Sequence, residues 1–254
     1  MKRLAVVVGL VTICLLTLVM AQQFPFWEEL LHYYGGTSDA TPVPSMKMGN
    51  HMQVSRKAKE QPGDAERAQQ ILTAARMVIA HYADVNTALA DGYKPFHPTG
   101  TMGEEVHYTN YRLARLERKQ VDYERPGSIL YKRTPEGMKA VGVMYTAPQN
   151  STPEQLNAIV PLSITVWHRH VDFCGAPRGL PLAEQFGPQA QYGFQGSIHT
   201  EEACKEAHGL WIPVALGWMT HVYPNAKNPG DIWGGTEMKM DANIDNDAVS
   251  NMKM

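Results

Sequence analysis

The chain has 254 residues and a formal net charge of −2, from 25 acidic and 23 basic side chains. That balance supplies no basic surface for nucleic acid and no acidic block for a solvating tail. Seventeen prolines and 21 glycines point to many turns and a mixed or mostly β architecture, and the length fits one domain with appendages or two small ones.

The N-terminus reads as a secretory signal peptide over residues 1–21. Lys2 and Arg3 form a short positive region, residues 4–19 are apolar apart from Thr12 and Thr17, and Val19-Met20-Ala21 supplies small or short residues for a signal peptidase. The run is short for a bilayer span, which needs about 20 apolar residues. A cleavable signal is therefore expected rather than an anchor, with a secreted or periplasmic product that keeps no membrane span. Cys14 lacks the small preceding residues of a lipid-modification site. Cleavage removes Lys2 and Arg3 from the 23 basic residues and none of the 25 acids, for a net charge of −4.

Residues 22–63 read as an irregular arm and linker. Phe24, Phe26, Trp27, Tyr33 and Tyr34 could dock on a core, and the stretch after them is polar and rich in Gly, Pro, Ser and Lys. An α+β metal-binding domain is expected over 64–224. It opens with a helix over about 65–90, where Ala68, Ile71, Leu72, Ala75, Val78, Ile79, Tyr82, Val85 and Leu89 recur at helical steps between a candidate cap, Asp64, and a candidate stop, Gly92. Runs rich in Val, Ile, Thr, Tyr and Trp predict strands over 128–133, 139–147, 161–173 and 210–223, the first two joined by a turn at Pro135-Glu136-Gly137. Thr152, Pro153 and Gln155 form a capping box that starts one short helix. Thr200, followed by Glu201 and Glu202 and closed by Gly209, starts another. The pattern predicts an antiparallel β-sandwich or barrel with one long packing helix and short helices. Residues 225–254 read as a polar tail.

Cys174 and Cys204 are the cysteines left after cleavage. In an oxidising compartment they form one disulfide; the alternative is that Cys174 is a thiolate metal ligand. The sharpest feature is Trp167-His168-Arg169-His170. On a strand His168 and His170 share a face with Ile164 and Val166, and two inward imidazoles need partners. A transition-metal ion is one partner; hydrogen bonds to buried carboxylates or water are the alternative. His221, in Gly217-Trp218-Met219-Thr220-His221, and His107, in Glu104-Glu105-Val106-His107-Tyr108, could complete the shell, with Glu104 and Glu105 as oxygen ligands or partners of a histidine nitrogen. Such a nitrogen-rich site suits copper, zinc, iron or nickel rather than calcium or magnesium.

Methionine placement is the second unusual feature. Met46, Met48 and Met52 cluster with His51, and Met238 and Met240 repeat a Met-Lys-Met unit in the tail that recurs at Met252 and Met254. Thioethers select Cu(I) and form no disulfides. The alternative is that these methionines are chance, or dock the arms. There is no phosphate-cradling Gly-rich loop, no Gly-x-Ser-x-Gly elbow and no His-Glu-x-x-His in the chain.

Ala90-Asp91-Gly92-Tyr93, Val106-His107-Tyr108-Thr109-Asn110, the stretch 123–131, Val141-Gly142-Val143-Met144-Tyr145, Trp167-His168-Arg169-His170 with Cys174, and Gly217-Trp218-Met219-Thr220-His221 resemble a family of uncharacterised secreted bacterial proteins, over about residues 70–225. The resemblance implies no activity, but it implies that His107, His168, His170 and His221 belong together. The His168-x-His170 pair with a later His221 is also similar to the metal motif of cupins, with Cys174 standing where that motif has a glutamate.

The leading expectation is a secreted or periplasmic transition-metal-binding protein. His168, His170 and His221 are its ligands, His107 is the fourth, and copper is preferred because of the methionines. The alternatives are a metal-dependent oxidase, dioxygenase or hydrolase at the same centre, with Glu104, Glu105, Tyr108 or Arg169 assisting, and a cell-envelope interaction module that uses the aromatic arm to bind a protein partner.

Overall fold

The computed structural model describes residues 43–96, 105–177, 179–180, 184–185 and 189–234. Residues 1–21, read as a signal peptide, the aromatic residues 24–34, Glu104, Met238, Met240 and the C-terminal methionines lie outside the described residues. Among those residues no helix is long and apolar enough to cross a membrane.

The elements run β1 (Ser45–Met48), β2 (Met52–Ser55), α1 (Asp64–His81), α2 (Val85–Ala90), β3 (Lys94–Pro95), β4 (Glu105–Thr109), α3 (Tyr111–Glu117), β5 (Ser128–Thr134), β6 (Gly137–Ala147), α4 (Pro153–Ile159), β7 (His168–Gly175), α5 (Glu201–Glu206) and β8 (Leu210–Val222). The described strands form one antiparallel sheet of eight, in the order β1-β2-β7-β8-β6-β5-β4-β3. The fold is α+β, as expected. Among the described residues the sheet is not closed, with β1 and β3 at its two ends; the strand patterns predicted a sandwich or barrel.

Helix α1 buries Ala68, Ile71, Leu72, Ala75, Val78 and Ile79, the predicted stripe, and lies across β6. The helix predicted over 65–90 is broken in two. Asp84 turns to an extended conformation and its carboxylate accepts the Asn86 N–H, which caps α2 as a new helix. Asp64 is the first residue of α1 rather than its cap. Its carboxylate accepts the Gln61 N–H and the Ser163 hydroxyl, and the Ser163 bond first, then the Gln61 bond, lower its pKa.

The capping box of α4 is present: Thr152 N–H donates to Gln155 Oε1 and Gln155 N–H to Thr152 Oγ1. Thr200 caps α5 by accepting the Ala203 N–H. Cys174, at the end of β7, is bonded to Cys204 on α5 across a separation of 30 residues, so Cys174 is not a metal ligand. A loop of that size contributes about 3 kcal/mol by restricting the unfolded chain.

Two expectations change in ways that bear on function. Residues 45–55, read as linker, form a β-hairpin whose second strand pairs with β7 in the register Met52↔His170 and Val54↔His168. The strand predicted over 161–173 begins only at His168. Before it the chain turns, with Ile164 and Thr165 N–H both donating to the Pro161 carbonyl, so Ile164 is not on the histidine strand.

Strand alternation divides the sheet's side chains between two cores. One face contributes Val106, Tyr108, Ile129, Tyr131, Val143, Tyr145, Trp218 and Val222 to the main core under α1. The other contributes Leu130, Met144 and Met219 to a second cluster with Phe173 and Ile212.

Candidate metal centre

The second face also carries the histidines. In β4, Val106 and Tyr108 enter the main core, so Glu105 and His107 project to the opposite side. In β8, Trp218 and Val222 enter the main core, so Met219 and His221 project with them, followed by Tyr223. A bulge sets this phase. Between His168↔Met219 and His170↔Ala215, β8 spends more residues than β7, with Leu216 at φ 66°. Residue 217 must be glycine, because a Cβ there would lie 2.0 Å from the Ala147 carbonyl oxygen. In β7, Asp172 takes φ 57° and resets the alternation, which brings Phe173 beside His170 with ring centroids 5.7 Å apart.

Three strands therefore bring four imidazoles together. Ring centroids step from His170 to His168 at 5.7 Å, to His221 at 5.0 Å and to His107 at 5.1 Å. The tightest group is Glu105, His107 and His221, whose ligand atoms lie within 4.8 Å of one another. Around a tetrahedral ion with bonds of about 2.0–2.2 Å, ligand atoms stand about 3.5 Å apart, so closure of up to about 1.3 Å brings the three onto one ion. Glu105, expected as a ligand or as a partner of one, belongs to this group. His168 adjoins it through His221, and His170 stands at the far end of the row.

His168 and His221 are 2 % and 1 % exposed. His107 and Glu105 keep 24 % and 25 % of their side chains accessible, so the row opens to solvent at that end. Tyr223 donates to Glu105 Oε1 at 2.7 Å and stands 3.4 Å from His221 Nδ1. With its proton on Glu105, the phenol oxygen can accept only from an Nδ1–H, which leaves the lone pair of His221 on Nε2. Gly142 makes room for Tyr223, since a Cβ there would meet that ring at 2.9 Å. His168 Nδ1 is buried with no hydrogen-bond partner among the described residues.

Burial sets the electrostatics. Desolvation lowers the pKa of His107 to about 4. Desolvation, and then repulsion from His107, lowers His170 to about 4, against the pull of the His51 carbonyl. His168 and His221 fall well below the usual histidine value, through desolvation first and then repulsion from the other imidazoles. Desolvation raises Glu105 against the Tyr223 hydrogen bond. At neutral pH the four imidazoles are uncharged, the state in which they bind metal.

Each of three histidines has a methionine as its cross-strand partner: His221↔Met144, His168↔Met219 and His170↔Met52. Partners directly opposite share a face with Cβ atoms about 4.5–5.5 Å apart. Met52 is expected from the sequence, whereas Met144 and Met219 emerge from the strand pairing. The signal for Met219 was present, because Met219 and His221 are two residues apart on one strand.

Other expected residues are placed elsewhere. His51 faces Gly196 O and Val171 O with its two ring nitrogens, at 2.5 and 3.4 Å, so it staples the hairpin to β7 rather than joining the methionines as a ligand. Arg169 lies over the Trp218 ring and bonds Gln53; Tyr108 packs edge-on against Tyr131. Neither shares the histidine face. A cavity of about 750 Å³, lined by Gln70, Leu113, Glu117, Val121 and Tyr123 among others, contains none of the histidines. Glu117 there accepts from Gly127 N–H, Thr146 N–H and the Thr146 hydroxyl, and desolvation pushes its pKa up to about 7.

No family model, curated protein or solved structure matches the chain, so the centre is read from its own residues.

Proposed function

We propose that the protein is a secreted or periplasmic transition-metal-binding protein. Its ion is held by Glu105, His107 and His221, with His168 as the adjoining ligand and His170 flanking it. The observation that carries this reading is the buried nitrogen of His168, without a hydrogen-bond partner among the described residues, inside a row of neutral imidazoles. An unsatisfied buried polar atom costs about 1–3 kcal/mol, and a bound ion removes that cost. Nitrogen with one carboxylate oxygen favours copper, zinc or iron. The cross-strand methionines at all three buried or half-buried positions favour copper, since thioether sulfur is soft. The disulfide agrees with an oxidising compartment.

Binding is the first reading because Glu105 and the row of imidazoles supply enough protein donors to close a shell. The accessible Glu105 and His107 edge gives the enzyme reading its opening. A small oxidisable or hydrolysable molecule would approach there.

Elemental analysis of protein purified without a histidine tag tests the reading. About one copper, zinc or iron per chain is expected. Chelator competition should show affinity falling at least tenfold in His221→Phe and in Glu105→Gln, with the fold kept by circular dichroism. An ion count that is zero in the parent, or unchanged in both variants, would reject the centre.

A further inference from the structure

The hairpin places a second set of donors beside the first. Met48 and Met52 are direct cross-strand partners, and Met46 lies two residues from Met48 on the same strand. All three therefore share one face. Met52 is in turn the partner of His170, and Met46 pairs with Val54, whose partner is His168. The methionine face is thus continuous with the histidine face. Exposure falls inward along it. Met46 is 49 % exposed, Met48 and Met52 are half-buried, and His168 is buried.

Packing does not account for these methionines. Among the described residues none of the three belongs to an apolar cluster, and methionine in a fold ordinarily fills core gaps. Exposed hairpin strands are more often built of β-branched or polar residues. Diagonal neighbours on a sheet lie about 7–8 Å apart at the backbone, within reach of three flexible thioethers converging on one ion. His51 pins the turn to β7 and to Gly196, which holds the hairpin in place.

We infer that Met46, Met48 and Met52 form a Cu(I) station at the sheet edge that passes the ion through His170 to the histidine centre. The inference rests on the proposed metal-binding function. The transfer is a ligand exchange: a thioether leaves as an imidazole nitrogen enters, the ion stays Cu(I), and no electron or proton moves.

The test uses the full chain under anaerobic reducing conditions, with a coloured Cu(I) chelator as donor. It compares the parent, a Met46→Leu/Met48→Leu/Met52→Leu variant and a His107→Phe/His221→Phe variant. Leu keeps volume and apolarity, so an unchanged thermal midpoint certifies the fold. Co(II), which has little affinity for thioethers, reports the histidine centre alone. The triple Leu variant should bind one Cu(I) fewer than the parent, load its centre with Cu(I) at least tenfold more slowly, and bind Co(II) like the parent. The double Phe variant should lose Co(II) binding and keep the station's Cu(I). Equal Cu(I) stoichiometry and equal uptake rate in the parent and the triple Leu variant would overturn the station while leaving the centre standing. Absence of Co(II) binding in the parent would instead overturn the centre and, with it, the hand-off.

Discussion

The two faces of the sheet are built from the same strands by alternation, and they treat polar groups differently. On the face that α1 covers, the buried tyrosines have resolved their hydroxyls: Tyr93 donates to Pro126 O, Tyr131 to Tyr82 O and Tyr145 to Tyr123 O. On the opposite face four imidazoles crowd together and His168 Nδ1 stays without a hydrogen-bond partner among the described residues. Burial on the first face completes a core. On the second it leaves the His168 nitrogen to be satisfied by a bound ion or a water. Substitutions should therefore damage stability on one face and binding on the other.

The largest effect is expected under α1. Trp167 is fully buried in the main core, and Trp167→Ala should cost about 3–5 kcal/mol in urea unfolding of the metal-free protein. Next is the disulfide beyond the histidine face: Cys174→Ser/Cys204→Ser should cost about 2–4 kcal/mol, measured the same way.

The histidine face should show its character through pH. A base whose folded pKa is depressed binds fewer protons folded than unfolded, so stability falls as pH drops and is flat above the unfolded value. For His170 the window runs from 6.5 down to about 4. Metal-free His170→Phe should gain on the parent through that window by on the order of 2 kcal/mol. The difference between the two proteins is the informative quantity, because the raised pKa values of Glu105 and Glu117 act in the opposite sense in both.

Smaller still, His168→Leu should leave metal-free stability within about 1 kcal/mol of the parent, because it removes an unsatisfied nitrogen and fills its place with an apolar side chain. The same variant should abolish the stabilisation that added metal gives the parent, read as a shift in thermal midpoint. At the sheet edge the ion pair of Lys47 with Asp172 joins an exposed lysine to a partly buried carboxylate, and solvent screening at the exposed end limits it, so Lys47→Ala should change stability by about 1 kcal/mol or less.

Much of this was legible where the signal is local. The capping box at Thr152, the cap at Thr200 and the turn between β5 and β6 are set by residues a few positions apart, and each appears as read. The His168-x-His170 pair was legible because a strand needs only two-residue spacing to align two side chains. The hairpin at 45–55 was not, because its short strands are stabilised by pairing with β7, more than a hundred residues away. Nor was the break at Asp84, where one side-chain hydrogen bond outweighs a continuing apolar stripe. The membership of Glu105 depends on the pairing of β4 with β5, and the methionine opposite each of three histidines depends on strand register. Neither is written in a single segment.

X-ray absorption of the metal-loaded protein tests the central claim most directly. The account predicts a first shell dominated by nitrogen at about 2.0–2.1 Å, with the outer-shell signature of at least two imidazoles, both diminished in His107→Phe/His221→Phe. A first shell of water oxygens without imidazole scattering, or a spectrum unchanged in that variant, would contradict it.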